Sequence, residues 1–261
     1  MQSGQQSGSH LHSSFRDIDS WIFDLDNTLY PRHVDLFAQM EVKMNEFVSN
    51  LLGLTIEDAS HLRHSYYKQY GTTLRGLMIE HHIEPDVFLE YVHDIDHSVV
   101  KPDPLLAAAL RALPGKCYIY TNGTQDHARK VSERLGITGY FDDVFDIVWA
   151  GLDPKPNRAP YEQLLAQTGI KPQRAAMFED LARNLLVPAE MGMNCVLIVP
   201  DQMGAVFQGR WDAEGMDAPH VNHVTDNLGQ FLSDVLHALG VHLPDCPTST
   251  ANMASPTNPA S

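Results

Sequence analysis

Four short segments carry residues whose types could do chemistry together. They are Asp24-Leu25-Asp26-Asn27-Thr28, Thr121-Asn122-Gly123-Thr124, Lys155 between Pro154 and Pro156, and Glu179-Asp180 with Asn184 a turn later. In an extended chain residues i and i+2 point to the same side, so Asp24 and Asp26 can address one ligand. A pair of turn or N-cap aspartates has the same spacing. The apolar run before this pair and Asn27-Thr28-Leu29-Tyr30-Pro31 after it favour the ligand reading. Thr121-Asn122-Gly123 opens a helix, where free backbone amides and the helix dipole suit a phosphate. An ordinary turn with Thr124 as N-cap fits those residues equally. Lys155 follows the third apolar run, and at the same rim its cation would offset anionic charge. Glu179, Asp180 and Asn184 offer hard oxygen donors of the kind Mg²⁺ takes, usually one or two carboxylates plus waters. Acids that cap a helix N-terminus are the alternative for that pair.

These segments are of interest because of what precedes them. The runs Trp21-Ile22-Phe23, Cys117-Tyr118-Ile119-Tyr120, Ile147-Val148-Trp149, Ala175-Ala176-Met177-Phe178 and Cys195-Val196-Leu197-Ile198-Val199 are short, apolar and not alternating. That pattern predicts strands buried on both faces of a parallel sheet. Helical spacing over 105–113, 125–135, 159–168 and 181–191 separates them, which implies right-handed crossovers. The fold expected is α/β, a doubly wound, Rossmann-like parallel-sheet core. Ligands of such sheets bind at the carboxyl ends of the strands, where the four segments converge.

One block breaks the alternation. Residues 36–52, 55–70, 74–82 and 86–93 are all helical in pattern, so an all-helical cap domain is expected over 34–100. The core would then comprise 18–33 plus 101–243. Tails over 1–17 and 244–261, poor in apolar residues, are expected to be disordered.

The chain has 43% hydrophobic residues, enough for a core, and 18 Lys plus Arg against 33 Asp plus Glu, a net charge of -15. That balance disfavours nucleic acid and anionic lipid as partners. No apolar run reaches the ~20 residues of a membrane span, and residues 1–14 lack the pattern of a secretory signal. Three dispersed cysteines make no disulfide framework. A cytoplasmic protein, monomer or homodimer, is expected. His61/His64 and His93/His97 have zinc-chelating spacing, but with 14 histidines in the chain such pairs arise by chance.

Taken in order, the segments resemble the four motifs of the haloacid dehalogenase superfamily of phosphatases. Phe23 to Leu29 resembles the first, Thr121-Asn122-Gly123 the second, Lys155 the third and Glu179-Asp180 the fourth, over roughly 20–199. Tyr70-Gly71-Thr72-Thr73-Leu74-Arg75-Gly76-Leu77, Val92-His93-Asp94-Ile95-Asp96 and Met177-Phe178-Glu179-Asp180 are similar to its pyrimidine 5'-nucleotidase branch. The resemblance implies Asp24 as nucleophile and Asp26 as general acid and base. It implies Mg²⁺ on the Asp24 carboxylate, the Asp26 carbonyl and Asp180, with Glu179 and Asn184 orienting those ligands. Thr121, the Asn122 amide and Lys155 would bind the phosphoryl group, and Thr72, Thr73 and Arg75 of the cap would contact the leaving group. Capping by Thr72 and a surface role for Arg75 fit those positions as well.

The expected activity is Mg²⁺-dependent hydrolysis of a small phosphate monoester through an aspartyl-phosphate, with a pyrimidine nucleoside 5'-monophosphate as substrate. A general phosphatase of small esters such as sugar phosphates is the alternative. A dehalogenase would leave Asp26 and Glu179-Asp180 idle. A phosphonate hydrolase would need a cap lysine, for which Lys43 and Lys68 are available. A catalytically inactive binding module would be expected to lose one of Asp24, Asp26, Lys155 or Asp180, and all are present.

Overall fold

Apolar runs too short for helices and flanked by polar turns become strands in the computed structural model, which describes residues 3–200 and 216–243. The strands are β1 (Ser20–Phe23), β2 (Lys116–Tyr120), β3 (Asp143–Phe145), β4 (Ala175–Glu179), β5 (Asn194–Ile198) and β6 (His223–Thr225). They form one sheet of order β3-β2-β1-β4-β5-β6, parallel throughout. From the central β1 the chain winds through β2 to β3 at one edge. It then returns to β4 beside β1 and winds outward again. This reversal is the topological switch point, so the carboxyl ends of β1, β2 and β4 border one crevice.

Alternation along each strand divides the core into two layers. Trp21, Phe23, Ile119, Phe178 and Val196 face one side. They are covered by α1 (Ser3–Phe15), α6 (Pro104–Ala112), α7 (Gln125–Leu135) and α10 (Leu228–Ala238). Phe23 and Phe178 stack there with centroids 4.6 Å apart. Ile22, Tyr118, Tyr120, Met177 and Cys195 face the other side, under α8 (Arg158–Thr168) and the 3₁₀ turn plus α9 (Leu186–Met191).

Between β1 and α6 lie four further helices, α2 (Leu36–Leu52), α3 (Ile56–Tyr70), α4 (Thr73–His81) and α5 (Pro85–Val92). They have a core of their own, in which Val48, Tyr66, Leu77, Phe88 and Val92 pack with Ile147 from beyond β3. Among the described residues no helix is long and apolar enough to cross a membrane.

The structure differs from the sequence reading in four places. Residues 3–15, expected to be disordered, form α1, because Leu11 and Phe15 stand one turn apart and make an apolar stripe. Phe15 is fully buried, stacked on Trp21 at 5.8 Å. The third strand is Asp143–Phe145 rather than 147–149. Asp146 ends it by accepting from the N–H groups of Gln125 (2.9 Å) and Trp149 (2.7 Å), so the chain turns before Ile147. The helix expected over 181–191 is a 3₁₀ turn over Ala182–Leu185 followed by α9. Pro188 cannot donate to the Asn184 carbonyl four residues back, and the Tyr161 hydroxyl serves that carbonyl instead (2.8 Å). Finally, β6 begins with a histidine and carries no apolar run, so the sequence held no strand signal for it. The tail over 244–261 lies outside the described residues.

Because Phe15 is what seats α1, Phe15→Ala should destabilise the protein by about 3–5 kcal/mol. Urea unfolding measures this, and a loss under about 0.5 kcal/mol, the range of ordinary surface changes, would contradict the packing.

Candidate active site

The site is assembled where β1 ends. Phe23 is the last strand residue, and the Asp24 N–H extends the ladder by donating to the Phe178 carbonyl at 2.9 Å. Leu25 turns into the core, so its neighbours Asp24 and Asp26 turn toward the rim. Asn27 then adopts a left-handed conformation (φ 57°), which ends the extended segment.

Lys155 lies at the centre of the rim and is almost wholly shielded from water, with 1% exposure. Its ammonium donates to Asp24 Oδ1 (2.6 Å), Glu179 Oε1 (2.8 Å) and the Tyr120 carbonyl (3.0 Å). These three acceptors come from the ends of β1, β4 and β2, and they match the three hydrogens of an ammonium. Its backbone is clamped by Asn122, whose Oδ1 accepts from the Lys155 N–H at 2.9 Å and whose Nδ2 donates to the Lys155 carbonyl at 3.4 Å. The Asn122 side chain thus positions the lysine, a task the sequence did not reveal.

The other acids are equally constrained. Asp24 Oδ2 accepts from the Thr28 hydroxyl at 3.1 Å. Glu179 Oε1 also accepts from Asn184 Nδ2 (2.7 Å), and its Oε2 from the Leu181 N–H (2.8 Å). Asp180 Oδ2 accepts from Asn27 Nδ2 at 3.3 Å and pairs with Arg32 at 3.4 Å. Thr121 Oγ1 accepts from the Gly123 N–H at 2.9 Å, and Thr124 caps α7 by accepting from the His127 N–H at 3.3 Å.

Asp24, Glu179 and Asp180 each bring a carboxylate oxygen within 4.8 Å of the others. Burial, against the pull of Lys155 and with Glu179 and Asp26 nearby, pushes the Asp24 carboxyl up to about 7. Burial, with Glu179 and Asp24 beside it, raises Asp180 well above the carboxylate range despite Arg32. One ammonium and the Arg32 guanidinium leave two buried carboxylates and the partly buried Asp180 short of positive charge, and a hard divalent cation would supply the balance. Two buried amide oxygens, Asn27 Oδ1 and Asn184 Oδ1, also have no hydrogen-bond donor among the described residues. These donors fit Mg²⁺ and its waters.

Asp26 has different surroundings. Its Oδ1 accepts from the Tyr30 hydroxyl (2.6 Å) and from His127 Nε2 (2.9 Å). Burial alone would raise its pKa, but the His127 charge and hydrogen bond and the Tyr30 hydroxyl hold it below the ordinary value. Neither Tyr30 nor His127 carries a sequence signature of this role. The nearest cue for His127 is its place in the first turn of the helix after Thr121-Asn122-Gly123.

The cap candidates lie at the seam between cap and core. Thr72 caps α4 by accepting from the Arg75 N–H at 3.2 Å, and Thr73 is buried. Arg75 pairs with Asp153 (3.1 Å) and donates to the Leu152 carbonyl (3.4 Å). From the core side Arg183 donates to the Gly71 carbonyl (3.3 Å) and lies over the Tyr67 ring at 3.8 Å. Of the histidine pairs, His64 bonds the Ser60 carbonyl, while His97 faces His127 at 2.9 Å.

Residues 18–192 match the haloacid dehalogenase-like hydrolase family. The chain belongs to that family. It is 29% identical over 198 residues to phosphate metabolism protein 8 of Saccharomyces cerevisiae, covering 68% of this chain and 60% of the yeast protein. It is 25% identical over 216 residues to glyceraldehyde 3-phosphate phosphatase of Methanothermobacter thermautotrophicus, covering 78% and 95% of the two chains. Its fold is that of the magnesium-bound haloacid dehalogenase-type hydrolase YfnB of Bacillus subtilis. That likeness has a TM-score of 0.55 at 14% identity and covers 85% of this chain and 99% of the other.

The carboxylate cluster yields a prediction that needs no substrate. Mg²⁺ at 100 times its Kd should stabilise the protein by about 2.7 kcal/mol, and Asp180→Asn should weaken that response. Thermal unfolding with and without Mg²⁺ measures both. A wild-type midpoint that millimolar Mg²⁺ leaves unchanged would contradict the assignment.

Proposed function

We propose that this protein is a Mg²⁺-dependent phosphate monoester hydrolase that acts through an aspartyl-phosphate on Asp24. The observation that carries the reading is the Lys155–Asp24 pair at the carboxyl end of β1. A carboxyl group that Lys155 draws toward its charged form, against the pull of burial, is held there beside a buried cation able to face a phosphoryl group.

Asp24 attacks phosphorus in line, the phosphorus–oxygen bond to the leaving group breaks, and Asp26 gives that oxygen its proton. Asp26 then takes a proton from water as the water oxygen attacks phosphorus. Inorganic phosphate leaves, Asp24 is regenerated, and Asp26 is protonated for the next cycle. Thr121 and the Asn122 amide hold the phosphoryl oxygens with Lys155, which would turn one of its three hydrogens from a protein oxygen to the phosphoryl group, and positioning and charge do most of the work of such a transfer. The Asp24 and Asp180 carboxylates and the Asp26 carbonyl would hold Mg²⁺, which neutralises charge developing on the transferred group. Glu179, already committed to Lys155, Asn184 and the Leu181 N–H, orients these groups rather than ligating.

For the leaving group we propose a pyrimidine nucleoside, on the resemblance of 70–77 and 92–96. A sugar phosphate or similar small ester is the second reading. It is favoured by the glyceraldehyde 3-phosphate phosphatase relative, and by the engagement of Thr72 in capping and Arg75 with Asp153. Phosphate release assayed over nucleoside monophosphates and sugar phosphates separates the two. UMP or CMP should exceed AMP and GMP in kcat/KM by at least about tenfold, a margin that one or two base-edge contacts supply. Equal turnover of purine and pyrimidine esters would leave the general phosphatase. Asp24→Asn should abolish phosphate release from every ester, and retained release would overturn the nucleophile assignment.

A further inference from the structure

Asp26 is tethered through one oxygen only. Tyr30 and His127 both donate to Oδ1, at 2.6 and 2.9 Å, and no hydrogen bond from the described residues reaches Oδ2. Oδ2 points instead toward the second-motif loop, 3.6 Å from where a side-chain Cβ on Gly123 would stand. Tyr30 and His127 are both buried, so the Oδ1 side is closed to water.

His127 is itself fixed from behind. A carboxylate only accepts, so His127 Nε2 carries hydrogen toward Asp26. His97 Nδ1 donates to the Ile95 carbonyl at 3.1 Å, which makes His97 Nε2 an acceptor, and the hydrogen of its 2.9 Å bond to His127 sits on His127 Nδ1. The His93 ring packs on His127 with centroids 4.9 Å apart, and its Nδ1 donates to the Leu89 carbonyl. His93 and His97 lie on the segment that returns from the cap helices to the core.

We propose that Tyr30 and His127 are positioning residues that select which oxygen of Asp26 moves the proton. This rests on the reading of Asp26 as general acid and base. Two donors on Oδ1 fill the two lone-pair sites that oxygen offers, which leaves no place there for a further hydrogen. A proton arriving on Asp26 therefore goes to Oδ2, the oxygen on the side of the Thr121-Asn122-Gly123 loop, where the phosphoryl group is proposed to bind. The two donors also fix the carboxylate plane, and a misplacement near 1 Å costs about 10²-fold in rate. His97 and His93 hold the His127 ring in the orientation this requires.

The test compares two aryl esters in the presence of Mg²⁺. Phenyl phosphate departs as a phenoxide with a pKa near ~10, which needs the proton. p-Nitrophenyl phosphate departs readily as an anion. Tyr30→Phe and His127→Gln should each lower kcat/KM for phenyl phosphate by about 10²-fold while changing that for p-nitrophenyl phosphate only a few-fold. In an Asp26→Asn background neither change should lower the residual rate further, since each acts through Asp26. Tyr30→Phe removes one hydroxyl only, so it carries the test if His127→Gln fails to fold. Equal losses on both esters, no loss on either, or losses that persist beside Asp26→Asn would overturn the positioning role while leaving the phosphatase reading intact. A wild-type protein that releases phosphate from neither aryl ester nor from any nucleoside monophosphate or sugar phosphate would overturn both.

Discussion

A lysine ammonium removed from water must place all of its hydrogens on protein oxygens, and at Lys155 those oxygens belong to three strands. Asp24 follows β1, Tyr120 ends β2 and Glu179 ends β4. The ion cluster therefore closes only when the sheet has the order that brings these ends together. Desolvation would make each isolated charge expensive, and a buried pair broken on one side typically costs about 3–5 kcal/mol. The arrangement is accordingly a constraint on both fold and chemistry. It holds a carboxyl group against a cation in a dry place, where Lys155 opposes the pull of burial toward the neutral form, and it leaves the adjoining acids short of positive charge.

That shortage sets the division of labour among four acids only a few residues apart in two segments. Glu179 is saturated by Lys155, Asn184 and the Leu181 N–H, so it serves as a brace. Asp24 and Asp180 are raised by burial and by like charge, which is the condition a divalent cation relieves. Asp26, two residues beyond Asp24, has its negative charge stabilised by Tyr30 and His127 instead. Pairs of carboxylates whose surroundings pull them apart in this way are suited to different roles in one reaction.

The rim of candidate residues was legible in the sequence because strand ends and rim residues are adjacent in the chain. Asp24, Asp26, Thr121, Glu179 and Asp180 each stand within a few residues of a buried apolar run, and the structure brings them to one crevice as the doubly wound topology requires. What stayed hidden was set by tertiary partners. The Asn122 clamp on Lys155 spans 33 positions of the chain and the His127–Asp26 contact spans 101, and neither has a local signature. The Ile147–Trp149 run was apolar enough for a strand, yet Asp146 capped it into a turn. The helix over 3–15 formed because two residues, Leu11 and Phe15, outweigh a polar composition once α10 is there to receive them. Its neighbours gave no hint of that partner.

Whether Asp24 is phosphorylated during turnover is the measurement on which the account rests most directly. Acid quenching within the first turnover, borohydride reduction of any acyl phosphate and peptide mapping would locate the covalent intermediate. Reduction is expected at Asp24 in the presence of substrate and Mg²⁺, and none without substrate. Turnover with no trapped intermediate under conditions where a positive-control aspartyl-phosphate is captured, or a label at Asp26, Glu179 or Asp180, would contradict it.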